Sequence, residues 1–139
     1  MSGYLSRFVC ILAAATVFGC KPQDSAENDV VRSLPVVSGS QLETYVAQSD
    51  APVLVEFGVD FQCERCRQMK TPIVELADRL DGRADVIRVD FNANAALVSQ
   101  LGGTICPTYV LFQDGQPVHT ESFPVSADIL EAKVSELVE

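Results

Sequence analysis

Apolar residues follow two different patterns along this 139-residue chain. Short apolar runs rich in β-branched residues are typical of buried strands, whereas apolar residues three or four positions apart indicate helices. Strands are predicted at 34–37, 53–59, 85–91, 108–113 and 117–122. Helices are predicted after Ser40, from Cys63 to Gly82, over 93–101 and after Ser126. The resulting order, β-α-β-α-β-α-β-β-α, predicts an α/β fold with a mixed sheet and helices on both of its faces.

Local signals predict where several of these elements begin and end. A Ser-x-x-Glu capping box begins at Ser40, and Ser126 is a suitable N-cap for the last helix. Asp114 and Gly115 predict a tight hairpin between the last two strands. Pro72 lies inside the second helix, which we expect it to kink.

The first part of the chain differs from the rest. Residues 8–19 form an apolar run that is too short to span a bilayer as a helix and that ends in small residues, as the core of a signal peptide does. The polar stretch that follows has no apolar period, which indicates a flexible tether. We therefore divide the chain into a signal peptide at 1–19, a tether at 20–33 and one folded domain at 34–139.

The segment Val17-Phe18-Gly19-Cys20 resembles the lipobox of bacterial lipoproteins, whose cysteine is lipidated and becomes the first residue of the mature chain. Phe18 departs from that pattern, because the family usually has a small residue there. The resemblance implies that Cys20 anchors the domain on the periplasmic side of a bacterial membrane. Lys21 stands where a retention aspartate would be, which favours the outer membrane. An ordinary secretory signal and an uncleaved anchor remain as alternatives, and both also export the domain.

The charge of the chain argues against one class of partner. Ten Lys and Arg residues stand against nineteen Asp and Glu residues, so the formal net charge is −9 at pH 7. Binding of phosphate groups needs clustered Lys and Arg, so we do not expect nucleic acid as a partner. A solvated acidic surface is a sufficient explanation for the remaining charge.

The candidate chemistry lies where the strand at 53–59 meets the helix that follows it. Cys63 and Cys66 form a Cys-x-x-Cys pair at the start of that helix. Free N–H groups and the macrodipole at a helix N-terminus stabilise a thiolate, so we expect Cys63 to be the nucleophile. Cys66 lies one turn later and deeper, where it can attack a mixed disulfide on Cys63. The pattern predicts a dithiol redox site, although an isolated Cys-x-x-Cys is also half of a zinc site.

Residues 34–139 resemble a thioredoxin in three respects: the element order, the Cys-x-x-Cys pair at the start of the second helix, and Ile105-Cys106-Pro107-Thr108 ahead of the hairpin. The resemblance implies a thioredoxin fold, with a central mixed β-sheet flanked by helices on both faces. It implies that Cys63 and Cys66 form a redox-active disulfide and that no other cofactor is needed, because the two sulfurs carry the electrons. It also implies protein disulfide or dithiol substrates and a redox partner protein, and we expect a monomer.

The resemblance assigns roles to the neighbouring residues as well. Pro107 stands at the position of a cis proline that faces the disulfide, in a loop whose backbone pairs with the substrate, so Cys106, Pro107 and Thr108 are expected to bind substrate. Glu56 stands where thioredoxins bury an aspartate that takes a proton from the resolving cysteine. Burial raises the pKa of a carboxyl group, which would suit Glu56 to act as a base near neutral pH. The alternative for Glu56 is an exposed residue at a strand end.

Cys106 is a departure from the usual pattern, because it puts a third thiol beside the cysteine pair. Three hypotheses are open: an inert residue in the groove wall, a participant in exchange, or a thiolate cluster with Cys63 and Cys66 that holds zinc, copper(I) or an iron–sulfur centre. The cluster lacks a fourth ligand. His119 is the only histidine, and we expect it to be exposed on a hairpin strand.

We therefore expect an exported, membrane-anchored thiol–disulfide oxidoreductase that works through Cys63 and Cys66. The alternative is a non-catalytic metal- or partner-binding module of the same fold that uses Cys63, Cys66 and Cys106. Two departures bear on specificity: Glu64-Arg65 replaces the family's Gly-Pro between the cysteines, and Phe123 lies near a position that is normally glycine. The direction of the reaction stays open, because reductants, oxidants and isomerases share this fold.

Overall fold

A four-stranded sheet forms the centre of the computed structural model, which describes residues 32–139. The strands are β1 (Val53–Gly58), β2 (Asp85–Asp90), β3 (Thr108–Gln113) and β4 (Gln116–Ser122), in the spatial order β2-β1-β3-β4. β2 runs parallel to β1, whereas β3 runs antiparallel to both β1 and β4. The predicted mixed sheet is therefore confirmed.

Within the described residues, helices cover both faces of this sheet. They are α1 (Gly39–Gln48), α2 (Glu64–Leu80), α3 (Ala95–Gln100) and α4 (Ala127–Val138). One apolar cluster contains Leu76 of α2 and Leu130 of α4, and a second contains Leu42 of α1 and Val98 of α3. Successive side chains of a strand point to opposite faces, and β1, β2 and β3 each contribute residues to both clusters. This arrangement confirms the expected α/β fold with helices on both sides.

The strand expected at 34–37 is reduced to a single parallel bridge between Val36 and Arg88. The N–H groups of Val37 and Arg88 donate to the carbonyls of Arg88 and Pro35, each over 2.8 Å. Pro35 has no N–H group with which to extend a ladder, and α1 follows almost at once, so the pairing stops there. The segment at 34–37 is therefore not a full strand, and the observed element order begins with α1.

The capping box predicted at Ser40 is wrong, because the N-cap of α1 is Ser38. The N–H of Gln41 already donates to the Ser38 carbonyl over 3.0 Å, which starts the helix before Ser40. The Ser38 hydroxyl donates to Oε1 of Gln41 over 2.7 Å and makes no bond to the helix backbone. Ser126 is the N-cap of α4 as predicted, although its side chain makes no capping bond either.

The predicted hairpin turn is confirmed. Asp114 and Gly115 have φ values of 51° and 74°, and tight two-residue hairpins of the type I′ class need positive φ at both positions. The helix expected over 93–101 is divided into a 3₁₀ turn at Asn92–Asn94 and the α-helix α3. Pro72 lies inside α2, as predicted.

The predicted signal peptide at 1–19, Cys20 and the tether up to residue 31 lie outside the described residues. Arg32, near the end of the predicted tether, pairs with Asp78 of α2 over 2.5 Å, and Leu34, at the start of the predicted domain, is 7% exposed in the apolar core. In the described part of the chain, no helix is both long enough and apolar enough to cross a membrane.

Candidate active site

Cys63 and Cys66 form a disulfide at the N-terminus of α2, with a sulfur–sulfur distance of 2.07 Å. Cys63 is the N-cap of α2, and its Sγ accepts a hydrogen bond from the backbone N–H of Cys66 over 3.0 Å. Cys66 is 2% exposed, whereas Cys63 is only half-buried. The expected arrangement is confirmed, with Cys63 at the mouth of the helix and Cys66 beneath it.

The loop that ends at Pro107 lies against this disulfide. The peptide bond between Cys106 and Pro107 is cis, as the sequence resemblance implied. Sγ of Cys63 lies 3.8 Å from the carbonyl oxygen of Cys106, so the backbone of this loop lines the outer sulfur. The Pro107 carbonyl accepts a hydrogen bond from the N–H of Phe123 over 2.8 Å, which ties the loop to the end of β4.

Thr108 supports the loop from inside the protein. Its side chain is fully buried, and its hydroxyl donates to the carbonyl of Ile105 over 2.7 Å. The same oxygen lies 2.8 Å from Oγ of Ser122, which accepts the N–H of Thr104 over 3.1 Å. Thr108 was expected to bind substrate, but only its backbone is available for that, because the side chain faces the interior.

The third cysteine contacts the buried member of the pair. Sγ of Cys106 lies 3.0 Å from Sγ of Cys66 and 4.0 Å from the carbonyl oxygen of Phe57. Cys106 is a free thiol and is half-buried. Burial raises the pKa of the Cys106 thiol, and a backbone hydrogen bond with Val59 opposes that rise. Cys106 is therefore in direct contact with the redox pair. Each of the three hypotheses for its role has to account for this contact.

The sulfurs of Cys63, Cys66 and Cys106 all lie within 4.8 Å of one another. Such a group could hold a soft metal ion only in the reduced protein, because metal ligands must be thiolates and a disulfide supplies none. His119 takes no part in this group. It lies on β4, partly buried, with Nε2 3.5 Å from Oε2 of Glu121.

Glu56 is 2% exposed, so the interpretation that it is buried is confirmed and the alternative of an exposed strand end is wrong. Oε1 accepts a hydrogen bond from the Tyr109 hydroxyl over 2.9 Å, and Oε2 lies 3.2 Å from Nε of Arg88. Burial raises the pKa of the Glu56 carboxyl, while Arg88 and the Tyr109 hydroxyl oppose that rise. The group to which the resemblance assigned the role of base therefore has the raised pKa expected of it.

Sequence reasoning missed the two partners of Glu56. The strand register places Glu56 opposite Arg88 on β2 and opposite Tyr109 on β3. Pairing the predicted strands residue by residue would have suggested both contacts, since neighbouring residues on adjacent strands face the same side of a sheet. The carboxylate is therefore held from both neighbouring strands.

A cavity of about 260 Å³ lies beside this carboxylate. Its lining includes Glu56, Arg88, Asp60 and Lys70. Asp60 and Lys70 are exposed, so the cavity reaches the surface and gives water a route to the buried carboxyl group. Proton exchange between Glu56 and solvent does not have to pass through the disulfide.

Large apolar side chains are exposed in the segments that flank the sulfurs. Phe61 is 84% exposed, Ile105 51% and Phe123 42%. The Arg65 guanidinium lies 4.7 Å from the centre of the Phe123 ring, within the range of a cation–π contact. Phe123 has a φ of 56°, in the left-handed region that glycine adopts most easily, which agrees with the expectation that it lies near a position normally held by glycine.

Comparison with known proteins agrees with this geometry. The family model for thioredoxin matches residues 33–136. Thioredoxin 1 of Nostoc sp. is 34% identical over 82 residues, which cover 59% of this chain and 76% of that protein. The thioredoxin of Rickettsia felis is 34% identical over 86 residues, which cover 61% of this chain and 80% of that protein.

Solved structures give the same result. A mutant thioredoxin from Halobacterium salinarum superposes with a TM-score of 0.66 and 30% identity, covering 76% of this chain and 90% of that one. Mitochondrial thioredoxin 3 of Saccharomyces cerevisiae, in its oxidised form, gives a TM-score of 0.62 at 18% identity, covering 74% and 94%, and supports the fold alone. This chain belongs to the thioredoxin family, and its activity is that of a thiol–disulfide oxidoreductase.

Proposed function

We propose that this protein is an exported thiol–disulfide oxidoreductase that exchanges disulfides with protein substrates while anchored to a bacterial membrane through Cys20. The observation that carries the catalytic part is the Cys63–Cys66 disulfide at the N-terminus of α2, facing the loop of the cis Pro107. The anchored location rests on residues 1–20 alone, whose pattern resembles a lipoprotein signal.

The reaction begins on the outer sulfur of the reduced protein. The Cys63 thiolate attacks a substrate disulfide, a mixed disulfide forms, and one substrate sulfur leaves as a thiolate. The N–H of Cys66, which lies 3.0 Å from Sγ of Cys63, stabilises the thiolate before it attacks. Cys66 then attacks Sγ of Cys63, which forms the internal disulfide and releases the second substrate thiol.

Glu56 acts as the base for the second step. Burial raises the pKa of the Glu56 carboxyl from its ordinary value, which makes the carboxylate a stronger base. The cavity beside it supplies the route by which that proton reaches solvent. Cys66 is 2% exposed and therefore depends on a group inside the protein to take its proton.

The surface around the sulfurs suits an extended polypeptide. Exposed Phe61, Ile105 and Phe123 provide apolar contact, and the backbone next to Pro107 provides hydrogen-bonding groups for a substrate strand. Substrates of the proposed reaction are therefore protein disulfides with apolar neighbours, together with a redox partner protein.

Equilibration of the protein in glutathione buffers of graded potential tests the exchange reaction. We expect the thiols of Cys63 and Cys66 to become inaccessible to the alkylating reagent together, at one defined potential. Comparison of that potential with the potentials of known family members indicates the direction of the reaction. The Cys63→Ser variant should lose reduction of insulin disulfides. Retained activity in that variant would contradict the mechanism.

The anchor needs a separate experiment. Cells that express the full chain are labelled with a palmitate analogue and fractionated, with Cys20→Ser as the variant and Cys10→Ser as the matched control. We expect label and membrane association to be lost only with Cys20→Ser. Equal membrane association in all three proteins would contradict lipid anchoring.

A second candidate function is a non-catalytic metal-binding module. The observation that favours it is the group of Cys63, Cys66 and Cys106, whose sulfurs lie within 4.8 Å of one another. Reduced protein is titrated with Zn²⁺ or Cu(I), and the thiols open to alkylation are counted. Protection of all three thiols that a chelator reverses would support this function, whereas free alkylation in the presence of metal would exclude it.

A further inference from the structure

The sulfur of Cys106 is close enough to react with the disulfide beside it. It lies 3.0 Å from the sulfur of Cys66. That separation is only about 1 Å more than the ~2.05 Å of a disulfide bond. Cys66 is 2% exposed, so its sulfur is shielded from thiols in solution, whereas half-buried Cys106 already touches it. The buried sulfur of the disulfide therefore has a nucleophile within the chain itself.

We propose that Cys106 exchanges with the disulfide, so that the oxidised protein alternates between a Cys63–Cys66 and a Cys66–Cys106 bond. Cys106 loses its proton to solvent, and its thiolate attacks Sγ of Cys66. The Cys66–Cys106 bond forms, the Cys63–Cys66 bond breaks, and Cys63 leaves as a thiolate. One disulfide and one thiolate are present before and after, so the step consumes no oxidant and no reductant.

The sulfur that leaves is placed to carry negative charge. Cys63 is the N-cap of α2, and its Sγ accepts the N–H of Cys66 over 3.0 Å. The helix macrodipole adds to this stabilisation of a thiolate. A sulfur with a stabilised thiolate leaves faster in exchange, which favours release of Cys63.

The exchange becomes faster as the pH rises, because the attacking group must be a thiolate. Burial raises the pKa of the Cys106 thiol, with further contributions from the charges of Glu56 on β1 and Asp90 on β2. Arg88 on β2 and the backbone hydrogen bond with Val59 act in the opposite direction. At neutral pH the protonated form of Cys106 therefore predominates and limits the rate.

The exchange changes what the oxidised protein can do. With the disulfide between Cys66 and Cys106, Cys63 is a free thiolate at the helix mouth and attacks a substrate disulfide without prior reduction. The substrate thiolate released by that attack can then attack another substrate disulfide, and the thiolate freed there attacks the mixed disulfide, which forms a new substrate disulfide and releases Cys63 as a thiolate. Mispaired protein disulfides are therefore the substrate class of this form. The inference rests on the proposed function, because it uses the same cysteine pair, and it adds isomerisation to that function.

Labelling of the oxidised full-length chain tests the exchange. The protein is oxidised until Cys63 and Cys66 are paired, treated with a slow alkylating reagent at about pH 8 and digested without reduction. We expect label on Cys63 as well as on Cys106, together with a peptide that links Cys66 to Cys106. Label on Cys106 but none on Cys63 would overturn the proposal.

The matched control is Cys106→Ser, in which labelling of Cys63 should fall at least roughly tenfold below the wild type. Equal labelling of Cys63 in both proteins would trace the signal to incomplete oxidation and overturn the proposal. Cys63→Ser gives a second measurement, because oxidation with diamide should link Cys66 to Cys106 and remove two thiols. If Cys66 and Cys106 both stay free under this oxidant, the exchange is contradicted.

Reduction of insulin disulfides is measured on the same wild-type preparation. A protein that reduces insulin but never exposes Cys63 to label when oxidised would contradict the exchange and leave the proposed function standing. A protein whose Cys63 and Cys66 never pair in the glutathione buffers would contradict the proposed function itself. The two failures are therefore distinguishable.

Discussion

Nε of Arg88 lies 3.2 Å from Oε2 of Glu56, an ion pair across the neighbouring parallel strands β1 and β2. The same guanidinium also reaches Oδ1 of Asp60 over 2.7 Å, and Asp60 is exposed. Buried ion pairs lose hydration on both sides, so their net contribution to stability is small, whereas removal of one partner leaves the other charge uncompensated. The pair therefore positions the buried carboxylate and gives it a charged link to the surface.

Glu56→Gln is expected to change how stability depends on pH. Because the pKa of Glu56 is raised on folding, the folded chain binds the proton more tightly than the unfolded chain. The contribution of Glu56 to wild-type stability therefore falls as pH rises above the ordinary value of 4.5 and through the raised folded pKa, and then levels off. The variant lacks this loss, so its free energy of unfolding relative to wild type should increase with pH in urea titrations.

Glu131→Gln is the matched control for that experiment. Arg79 binds the Glu131 carboxylate and lowers its pKa on folding. The contribution of Glu131 to the free energy of unfolding is therefore complete above the ordinary pKa of 4.5, and it is lost only as pH falls through the lowered folded pKa. The difference in free energy of unfolding between Glu131→Gln and wild type should stay constant between about pH 5 and 8. An equally constant difference for Glu56→Gln would contradict a buried Glu56 carboxyl with a raised pKa.

Tyr109→Phe removes the hydroxyl that donates to Oε1 of Glu56. Loss of a buried hydrogen bond to a charged group should lower the free energy of unfolding by about 1–3 kcal/mol. The pKa of Glu56 should also rise further, because this hydrogen bond holds it down. Urea unfolding measures the first effect, and a pH profile of disulfide reduction measures the second.

Tyr45→Phe is the comparison for Tyr109→Phe. Tyr45 is only half-buried and lies near Asp85, away from the sulfurs, so its loss should cost under about 1 kcal/mol. Its pH profile of disulfide reduction should match the wild type. A profile that moves equally in both variants would show that the Glu56–Tyr109 bond does not tune the reaction.

Cys66→Ser should accumulate mixed disulfides with substrate. The outer thiol of Cys63 can still attack, but the thiol that normally completes the reaction is gone. Non-reducing gels and mass spectrometry of the variant should show covalent complexes that a small thiol dissolves. Cys63→Ser is the control and should form no such complexes. Equal amounts of complex in both variants would contradict the roles assigned to the two cysteines.

Gly103→Ala should destabilise the loop that precedes Pro107. A Cβ atom at Gly103 would overlap Cγ1 of Val98 and come within 2.8 Å of Cγ2 of Thr108, both of which are buried. Overpacking of this kind costs about 1–3 kcal/mol. The loss should appear in urea unfolding, together with slower disulfide reduction, because Thr108 holds the loop beside the sulfurs.

Gly82→Ala is the control for Gly103→Ala, because it introduces backbone strain without overpacking. Gly82 has a φ of 73° and nothing lies within 4 Å of a Cβ placed there, so only the cost of a positive φ applies, about 1 kcal/mol. This position follows α2 at the end away from the disulfide, so reduction should be unchanged. A Gly103→Ala protein as active as Gly82→Ala would contradict the supporting role of that packing.

Thr108→Val tests the same support through a hydrogen bond. The change removes the bond to the Ile105 carbonyl and the contact with Ser122 while nearly keeping the side-chain volume. We expect a loss of about 1–3 kcal/mol in the free energy of unfolding and a lower kcat for disulfide reduction, because the loop of Cys106 is less firmly held.

Thr120→Val is the control for Thr108→Val. Its hydroxyl donates to the Leu101 carbonyl over 2.6 Å, on the neighbouring strand but farther from the cis proline. Stability should fall here as well, while kcat stays near the wild-type value. A parallel fall of kcat in both variants would assign the effect to general loosening of the domain.

Much of the fold follows from local properties of the sequence. The β-branched run that forms β1, the helical spacing of α2 and the Asp114-Gly115 turn each depend on nearby residues, and each was predicted correctly. The start of α1 was misplaced by two residues and the strand at 34–37 was overestimated. Both errors arise because capping and strand length depend on which backbone groups find partners elsewhere in the chain.

The redox chemistry could be predicted from local patterns, because Cys-x-x-Cys at a strand–helix junction and a proline ahead of a hairpin are both visible in the sequence. The surroundings of the cysteine pair depend on how the chain packs. The tertiary structure places Arg88 and Tyr109 on Glu56 through the strand register, and it brings Cys106 within 3.0 Å of Cys66 although forty residues separate them. Such contacts arise when the sheet closes, since packing joins residues that no local pattern relates.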